Sequence, residues 1–222
     1  MCALFTLRLS PEELVQRLSS EFSLEVPLPD FQWGTRILPH QIAPVLIENQ
    51  QHLHLVPMSF SLIPSWSKTP RVKFATHNAR VETLIEKPTW RTVLKTRHCA
   101  VPMTGFVEPI YENQFAGNMV QFQKVKDSLL VAAGLWDSWV DRETGEVKDS
   151  FTIITGPPPE FVAKIGHDRC PIFLKADQVK NWTHIHSSEK KDWISFLNTS
   201  NWQGDFQVSV DRPMKPGWQK RI

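Results

Sequence analysis

Cys2 is the first residue whose type and position suggest chemistry. Removal of Met1 would leave a chain that begins with cysteine, with a free α-amine and a thiol on adjacent carbons. Such an aminothiol condenses with an aldehyde to an imine, which the thiol then closes to a five-membered thiazolidine ring. The alternative interpretation is a small buried residue, because free cysteines in proteins are usually buried.

Glu108 and His167 are the candidates for proton transfer. Glu108 ends the apolar stretch Cys99–Glu108, and a carboxylate in that position is often desolvated, which suits it to acid–base work. His167 is followed by Asp168 and Arg169, and a histidine beside an aspartate and an arginine is suited to act as a positioned acid or base. The alternatives are an exposed glutamate at a strand end and a polar turn between a helix and a strand.

The segment Asn78–Thr83 carries side chains suited to orientation and to charge. The amide of Asn78 offers donors and an acceptor with which to orient a nucleophile or a substrate. The guanidinium of Arg80 matches the geometry of a phosphate group. The same segment is also typical of a solvated helix start, with Glu82 in the first turn.

Composition and cysteine usage exclude several classes of protein. The chain has 222 residues, of which 41% are hydrophobic, so one sizeable core and a single domain over residues 1–222 are expected. The sequence contains no apolar run of about 18 residues, so it predicts no transmembrane helix. No segment resembles a secretory signal. The three cysteines lack the spacing of a disulfide framework or a zinc site. We expect a monomeric, cytoplasmic protein without a metal or a cofactor.

The charge balance places any nucleic-acid binding in a local patch. A net charge of +2 is lower than that of a dedicated duplex-binding domain. The loop Pro64–Lys73 combines Trp66 with the basic residues Lys68, Arg71 and Lys73. Since exposed aromatic rings can stack on bases, this loop is the candidate patch.

The elements that must position these residues are mostly strands. Ser10, Pro11 and Glu13 form the pattern of a capped helix start, and Ser188 is expected to cap a second helix, Glu189–Leu197. Strands are expected at Ile42–Ile47, Leu53–Leu62, Cys99–Glu108, Met119–Val125, Leu129–Leu135, Phe151–Thr155 and Phe206–Val210. Without alternation of strands and helices, this order favours an α+β fold around a mostly antiparallel sheet.

Taken together, the four chemical segments resemble the SRAP (SOS response-associated peptidase) family, and the resemblance extends over roughly residues 2–211 in the same order and spacing. The matching segments are Met1-Cys2, Leu62–Trp66, His77–Thr83 with Glu86–Pro88, Arg97–Glu108 and His167–Pro171. The resemblance implies a pseudo-barrel of strands with flanking helices. It also implies a cleft for single-stranded DNA.

The resemblance further assigns roles to single residues. After removal of Met1, Cys2 would link as a thiazolidine to the ring-opened sugar aldehyde of an abasic site, and Asn78 would orient it. Glu108 would shuttle protons, and His167 would assist sugar-ring opening and reversal. Arg80 would hold phosphate and Trp66 would stack near the DNA. Lys68, Arg71 and Arg169 complete the expected DNA-binding set.

Departures from the family pattern cluster around the DNA contacts. Ala3 and Leu4 follow Cys2 where the family has Gly and a DNA-contacting Arg, Arg36 replaces an Asn, and Pro109 replaces an aromatic residue. Two other functions stay open at this point. One is a thiol peptidase with Cys2 as nucleophile, and the other is a non-catalytic single-strand DNA-binding protein.

Overall fold

The computed structural model describes residues 2–125, 128–184, 192–200, 204 and 206–221. The described strands are β1 (Phe5–Thr6), β2 (Arg36–Ile37), β3 (Ile42–Asn49), β4 (His52–Phe60), β5 (Asn78–Arg80), β6 (His98–Met103), β7 (Gly105–Ile110), β8 (Asn118–Lys124), β9 (Leu130–Val140), β10 (Val147–Gly156), β11 (Cys170–Pro171) and β12 (Phe206–Pro213). The described α-helices are α1 (Pro11–Phe22), α2 (Pro88–Arg91), α3 (Val93–Thr96), α4 (Glu160–Ile165), α5 (Ala176–Thr183) and α6 (Trp193–Ser200).

Five strands of the larger sheet close into a barrel. The order β10-β4-β3-β6-β9 returns to β10, because β9 also pairs with β10. All of these pairings are antiparallel except the parallel pair of β4 and β10. The last residues of β10 extend beyond the ring and pair with β5 on one side and β11 on the other. β10 therefore holds two short strands that lead to the candidate site.

The smaller sheet has five strands in the order β12-β8-β7-β1-β2, and every pairing in it is antiparallel. β2 and β12 are its two edges, yet Arg36 of β2 makes a two-pronged ion pair with Asp211 of β12, at 2.7 and 3.0 Å. The sheet is therefore strongly curled, and side chains rather than backbone bonds join its edges. The prediction of mostly antiparallel strands in a pseudo-barrel with flanking helices is confirmed.

The prediction of one strand over Cys99–Glu108 is wrong, because the chain changes sheet at Thr104. β6 belongs to the barrel and β7 to the curled sheet. The backbone N–H of Thr104 turns to donate to Thr6 O at 2.7 Å. The next residue, Gly105, lies so close to β8 that a Cβ atom there would be 2.5 Å from Phe122 O. The change of sheet thus requires glycine at position 105, although the strands on both sides of it, β6 and β7, are apolar.

Buried aromatic rings fill the space between the two sheets. Phe5 of β1 meets Phe60 of β4 edge-on, with ring centroids 5.3 Å apart, and Phe60 stacks on Phe151 of β10 at 5.2 Å. These residues belong to one buried cluster that draws on both sheets. The division of the chain into one domain stays a prediction. Among the helices that the structure describes, none is long and apolar enough to cross a membrane.

Both helix predictions can be compared with the structure, one of them only in part. The capping box at the start of α1 is confirmed, since Ser10 Oγ accepts from Glu13 N at 3.2 Å and Glu13 Oε2 accepts from Ser10 N at 2.8 Å. The apolar face of α1 buries Leu14 and Leu18. In the second case, Ser188 and Glu189 lie outside the described residues, and α6 is described from Trp193 onward.

Ser10→Ala is expected to lower the free energy of unfolding by about 1 kcal/mol, because the backbone N–H of Glu13 loses the Ser10 hydroxyl as its acceptor. Ser20→Ala is the matched control, since Ser20 lies exposed within the same helix and alanine favours helix interiors. Denaturant unfolding of the native protein and both variants measures the difference. Equal midpoints for the two variants would contradict a capping role for Ser10.

Candidate functional site

The candidate catalytic residues meet where the barrel and the curled sheet adjoin. Cys2 precedes β1, and Leu4 O accepts a hydrogen bond from Val107 N of β7 at 2.9 Å. This bond continues the pairing of β1 with β7 toward the N-terminus. The chain at Cys2 is therefore laid alongside the part of β7 that carries Glu108. Both side chains are buried, with 0% and 1% of their surface exposed.

Asn78 connects Cys2 to the barrel. β5 is aligned with β10 in parallel, with Asn78 opposite Ile153, and the buried Asn78 amide donates from Nδ2 to Cys2 O at 2.8 Å. This bond fixes the peptide carbonyl next to the candidate nucleophile. Asn78 Oδ1 is buried and accepts no hydrogen bond from any residue that the structure describes. A buried acceptor of this kind is suited to a donor on a bound molecule.

His167 contacts Glu108 across the junction. His167 comes two residues after the end of the helix α4. Gly166 caps this helix with a φ of 101°, a conformation that favours glycine. His167 Nε2 lies 3.3 Å from Glu108 Oε2, and Nδ1 lies 2.7 Å from Arg169 O. In the protonated ring both nitrogens donate, so the carboxylate and the carbonyl hold the imidazolium between them.

The electrostatic environment favours a protonated His167. Burial alone would lower the pKa of His167, but the hydrogen bond and the negative charge of Glu108 outweigh it, so that the pKa is raised above the ordinary 6.5. Burial, followed by the charge of Glu108, raises the pKa of the Cys2 thiol well above 9.0. The thiol is therefore neutral near pH 7 and must lose its proton to a base when it reacts.

Arg169 has a structural partner in addition to its predicted role. Its guanidinium makes a two-pronged contact with Glu82, at 2.8 and 3.0 Å, and donates to Thr155 O of β10 at 2.7 Å. The contact joins the segment after Asn78 to the segment after His167. Only 12% of the Arg169 side chain is exposed. DNA binding by Arg169 stays a prediction, and the geometry explains how the two segments with candidate catalytic residues are kept together.

The predicted DNA-binding residues other than Arg169 lie on the surface. Trp66 is 54% exposed, and Lys68, Arg71 and Arg80 are also exposed. The loop that carries Trp66 is anchored on both sides, since Ser65 N donates to the buried Asp137 at 2.7 Å and Trp139 Nε1 donates to Ser67 O at 2.8 Å. The ring is thus exposed on a fixed loop, as a stacking platform would be. The role itself stays a prediction.

Two residues near the site were not assigned a role from the sequence. His77 is half-buried, and burial is the main reason that its pKa is lowered below 6.5, while the charge of Glu108 acts in the opposite direction. Cys170 is buried, and its pKa is raised first by burial and then by Cys2 and Glu108. Each lies within a segment that matches the family, since His77 begins His77–Thr83 and Cys170 belongs to His167–Pro171, so membership in a matching segment is the available signal.

Two of the departures from the family pattern have structural explanations. Leu4 is only 3% exposed, so its side chain packs inward. Arg36 is held by Asp211 at the seam of the curled sheet. Within the part of the chain that the structure describes, no three His, Cys, Asp or Glu side chains are grouped so that they could hold a metal ion.

Comparisons with known proteins identify relatives and shared architecture. The family model described as SOS response associated peptidase (SRAP) matches residues 1–210. The abasic site processing protein YoaM of Bacillus subtilis is 30% identical over 184 residues, which cover 82% of this chain and 78% of YoaM. The abasic site processing protein HMCES of Xenopus tropicalis is 29% identical over 165 residues, which cover 65% of this chain and 49% of HMCES.

Solved structures share the fold at low sequence identity. A crystal structure of a Bacteroides thetaiotaomicron protein superposes with a TM-score of 0.73 and 18% identity, over 99% of this chain and 94% of that protein. A Bordetella bronchiseptica protein also has a TM-score of 0.73 and 18% identity, over 95% of this chain and 100% of that protein. The barrel and curled sheet are therefore a shared architecture.

Proposed function

Since the chain belongs to the SRAP family, we propose that it processes abasic sites in single-stranded DNA and forms a covalent thiazolidine crosslink from Cys2 after removal of Met1. Relatives named abasic site processing proteins support the substrate class. The observation that carries the covalent step is the junction at which Asn78 bonds to Cys2 O and His167 contacts Glu108.

The proposed reaction consumes the aldehyde of the ring-opened sugar. The α-amine of Cys2 adds to the aldehyde carbon, and loss of one water gives an imine. The Cys2 sulfur then adds to the imine carbon, while the thiol proton is transferred to the imine nitrogen, which closes the ring. No oxidant or reductant is consumed, and water is the only product released. Hydrolysis of the ring reverses the sequence.

Glu108 and His167 fit the proton transfers that this reaction requires. Water must leave with a proton, which the imidazolium of His167 can donate, and the neutral thiol must lose one, which the Glu108 carboxylate can accept. The contact between them allows a proton to pass from one residue to the other. Asn78 would hold Cys2 in place during both additions. The DNA strand on either side of the abasic residue would be bound by the exposed Trp66, Lys68, Arg71 and Arg80.

Intact-mass analysis of the purified protein, before and after incubation with single-stranded DNA, tests the proposal. We expect loss of Met1 and, with a strand that contains an abasic site, a heat-stable species whose mass is that of protein plus DNA minus one water. Matched strands with an intact base, or with a reduced abasic sugar that lacks the aldehyde, should give no adduct.

Other outcomes have distinct meanings in the same experiment. Absence of the adduct from a protein that has lost Met1 would contradict the proposal, and binding without an adduct would favour a non-catalytic DNA-binding protein. Retention of Met1 would block the amine, since it would be part of a peptide bond. Adding an aminopeptidase that removes Met1 should then restore the reaction, and failure to do so would also contradict the proposal.

A further inference from the structure

We infer that a cavity beside Glu108 binds the nucleotide next to the abasic residue, with the nucleobase against Trp218 and the phosphate near Lys215. The inference rests on the proposed function and adds a subsite to it. It assigns a role to the C-terminal segment Arg212–Trp218, which neither the sequence patterns nor the catalytic geometry explains.

The cavity has a volume of about 410 Å³ and lies at one end of the curled sheet. Glu108 forms part of its wall, and so do Ala3 and Leu4, the residues directly after Cys2. A molecule in the cavity would therefore lie next to the reacting group. Pro109 also lines it, so three of the positions that depart from the family pattern surround the same space. The contacts made there are expected to be particular to this chain.

The cavity has an aromatic wall in a fixed position. The Trp218 ring packs on Gly117, where an added Cβ atom would come within 3.0 Å of the ring, and the positive φ of 83° at this residue also favours glycine. Met214 N donates to Gly117 O at 2.8 Å, which ties the C-terminal segment to the turn before β8. Tyr111 lies beside Trp218, with ring centroids 6.4 Å apart. An ordered ring of this kind is a suitable surface for base stacking.

The rim of the cavity is positively charged. Arg212 lines the cavity. Its neighbour Asp211 is already held by Arg36 from outside the cavity, so that carboxylate does not cancel the charge of Arg212. Lys215 is an exposed residue of the same rim. Apolar walls at Leu4 together with a cationic rim suit a molecule that is both flat and anionic. A nucleotide has these properties, whereas an apolar peptide lacks the charge and inorganic phosphate lacks the ring.

The experiment measures the affinity for single strands that carry tetrahydrofuran, a sugar analogue with neither a base nor an aldehyde. In matched strands, the nucleotide on the 5′ or the 3′ side is also replaced by tetrahydrofuran. We expect native protein to lose about 5- to 150-fold in affinity when one of these neighbouring bases is removed. Trp218→Ala should bind two kinds of strand equally well: the strand with a single tetrahydrofuran, and the strand in which the neighbouring nucleotide is also replaced by tetrahydrofuran. Fluorescence anisotropy gives these affinities.

Three further variants make the test specific. Trp218→Phe should keep part of the dependence on the neighbouring base. Phe31→Ala removes a half-buried ring outside the cavity and outside the predicted DNA-binding residues, and it should keep all of that dependence. Lys215→Ala should reduce the slope of log affinity against log salt by about 0.7 without changing the base dependence. Thermal unfolding of each variant shows whether the fold is intact.

The inference would be overturned if native protein showed no dependence on either neighbouring base, or if the dependence persisted in Trp218→Ala. Should Trp218→Ala fail to fold, Trp218→Phe and the native protein still decide the question, because an unchanged dependence in Trp218→Phe would assign the base contact elsewhere. Tetrahydrofuran cannot form an imine, so the result does not depend on the covalent reaction. Failure of the adduct test would therefore be distinguishable from failure of this one.

Discussion

Cys2→Ala is expected to abolish the heat-stable adduct between the protein and abasic single-stranded DNA. The variant keeps an N-terminal amine once Met1 is removed, so an imine can still form, but no sulfur is present to close the ring. Imines hydrolyse readily, and the product should disappear on heating. Denaturing gel electrophoresis after heating measures the adduct, and trapping with borohydride should reveal the imine that Cys2→Ala still makes.

Two matched variants separate the aminothiol from other effects. Cys2→Ser should behave like Cys2→Ala, with an imine that survives only after reduction. Cys99→Ala removes an equally buried thiol from the barrel strand β6, and its adduct should form as in the native protein. A heat-stable adduct in Cys2→Ala, or its loss in Cys99→Ala with the fold intact, would contradict the thiazolidine mechanism.

Glu108→Gln is expected to slow adduct formation by about 10²–10⁴-fold, the usual contribution of a placed proton-transfer group. The substitution keeps the shape of the side chain and removes its charge. Glu112→Gln is the matched control, since Glu112 is an exposed carboxylate near the end of β7, and it should react at the native rate. Single-turnover kinetics with abasic single-stranded DNA measure the rates. An unchanged rate in Glu108→Gln would make the residue structural.

The same substitution should reverse the pKa shift of His167. In the native protein the pKa lies above 6.5 because Glu108 outweighs burial; without that charge, burial remains and the pKa should fall below 6.5. A raised pKa in the folded state stabilises the protein below pH 6.5, and the contribution is lost as the pH rises through the folded value. Glu108→Gln should lack this part of the pH dependence. NMR titration of the imidazole and unfolding at several pH values test both expectations.

Much of the architecture followed from local sequence signals. The capping box at Ser10 depends on residues three positions apart, and a pattern of that kind can be recognised without any tertiary contact. The strand-rich character could also be predicted, because apolar runs recur without alternating helices. The sheet change at Thr104 could not be predicted in this way, since both sides of it are buried and apolar.

The site was less predictable than the fold, because its geometry depends on long-range contacts. Cys2, Glu108 and His167 were singled out by residue type, and their joint pattern resembled a family; the Glu108–His167 contact itself has no local signal. Arg169 shows the limit most clearly. DNA binding by this arginine stays a prediction, and no local pattern indicates its bond to Glu82, which connects residues 87 positions apart in the chain.

The contacts of the strand β10 affect how the protein unfolds. The end of β10 holds β5 through the bond from Ile153 N to His77 O, and it holds the segment at β11 through the bond from Ile172 N to Ile154 O. Neither neighbour can detach without breaking bonds to a strand of the barrel wall. The site is thus part of the cooperative unit that melts with the barrel, and heat should remove activity and native structure at the same temperature. If the proposed crosslink forms, an unfolding enzyme that frees the DNA from the protein would therefore have to unfold the barrel as well.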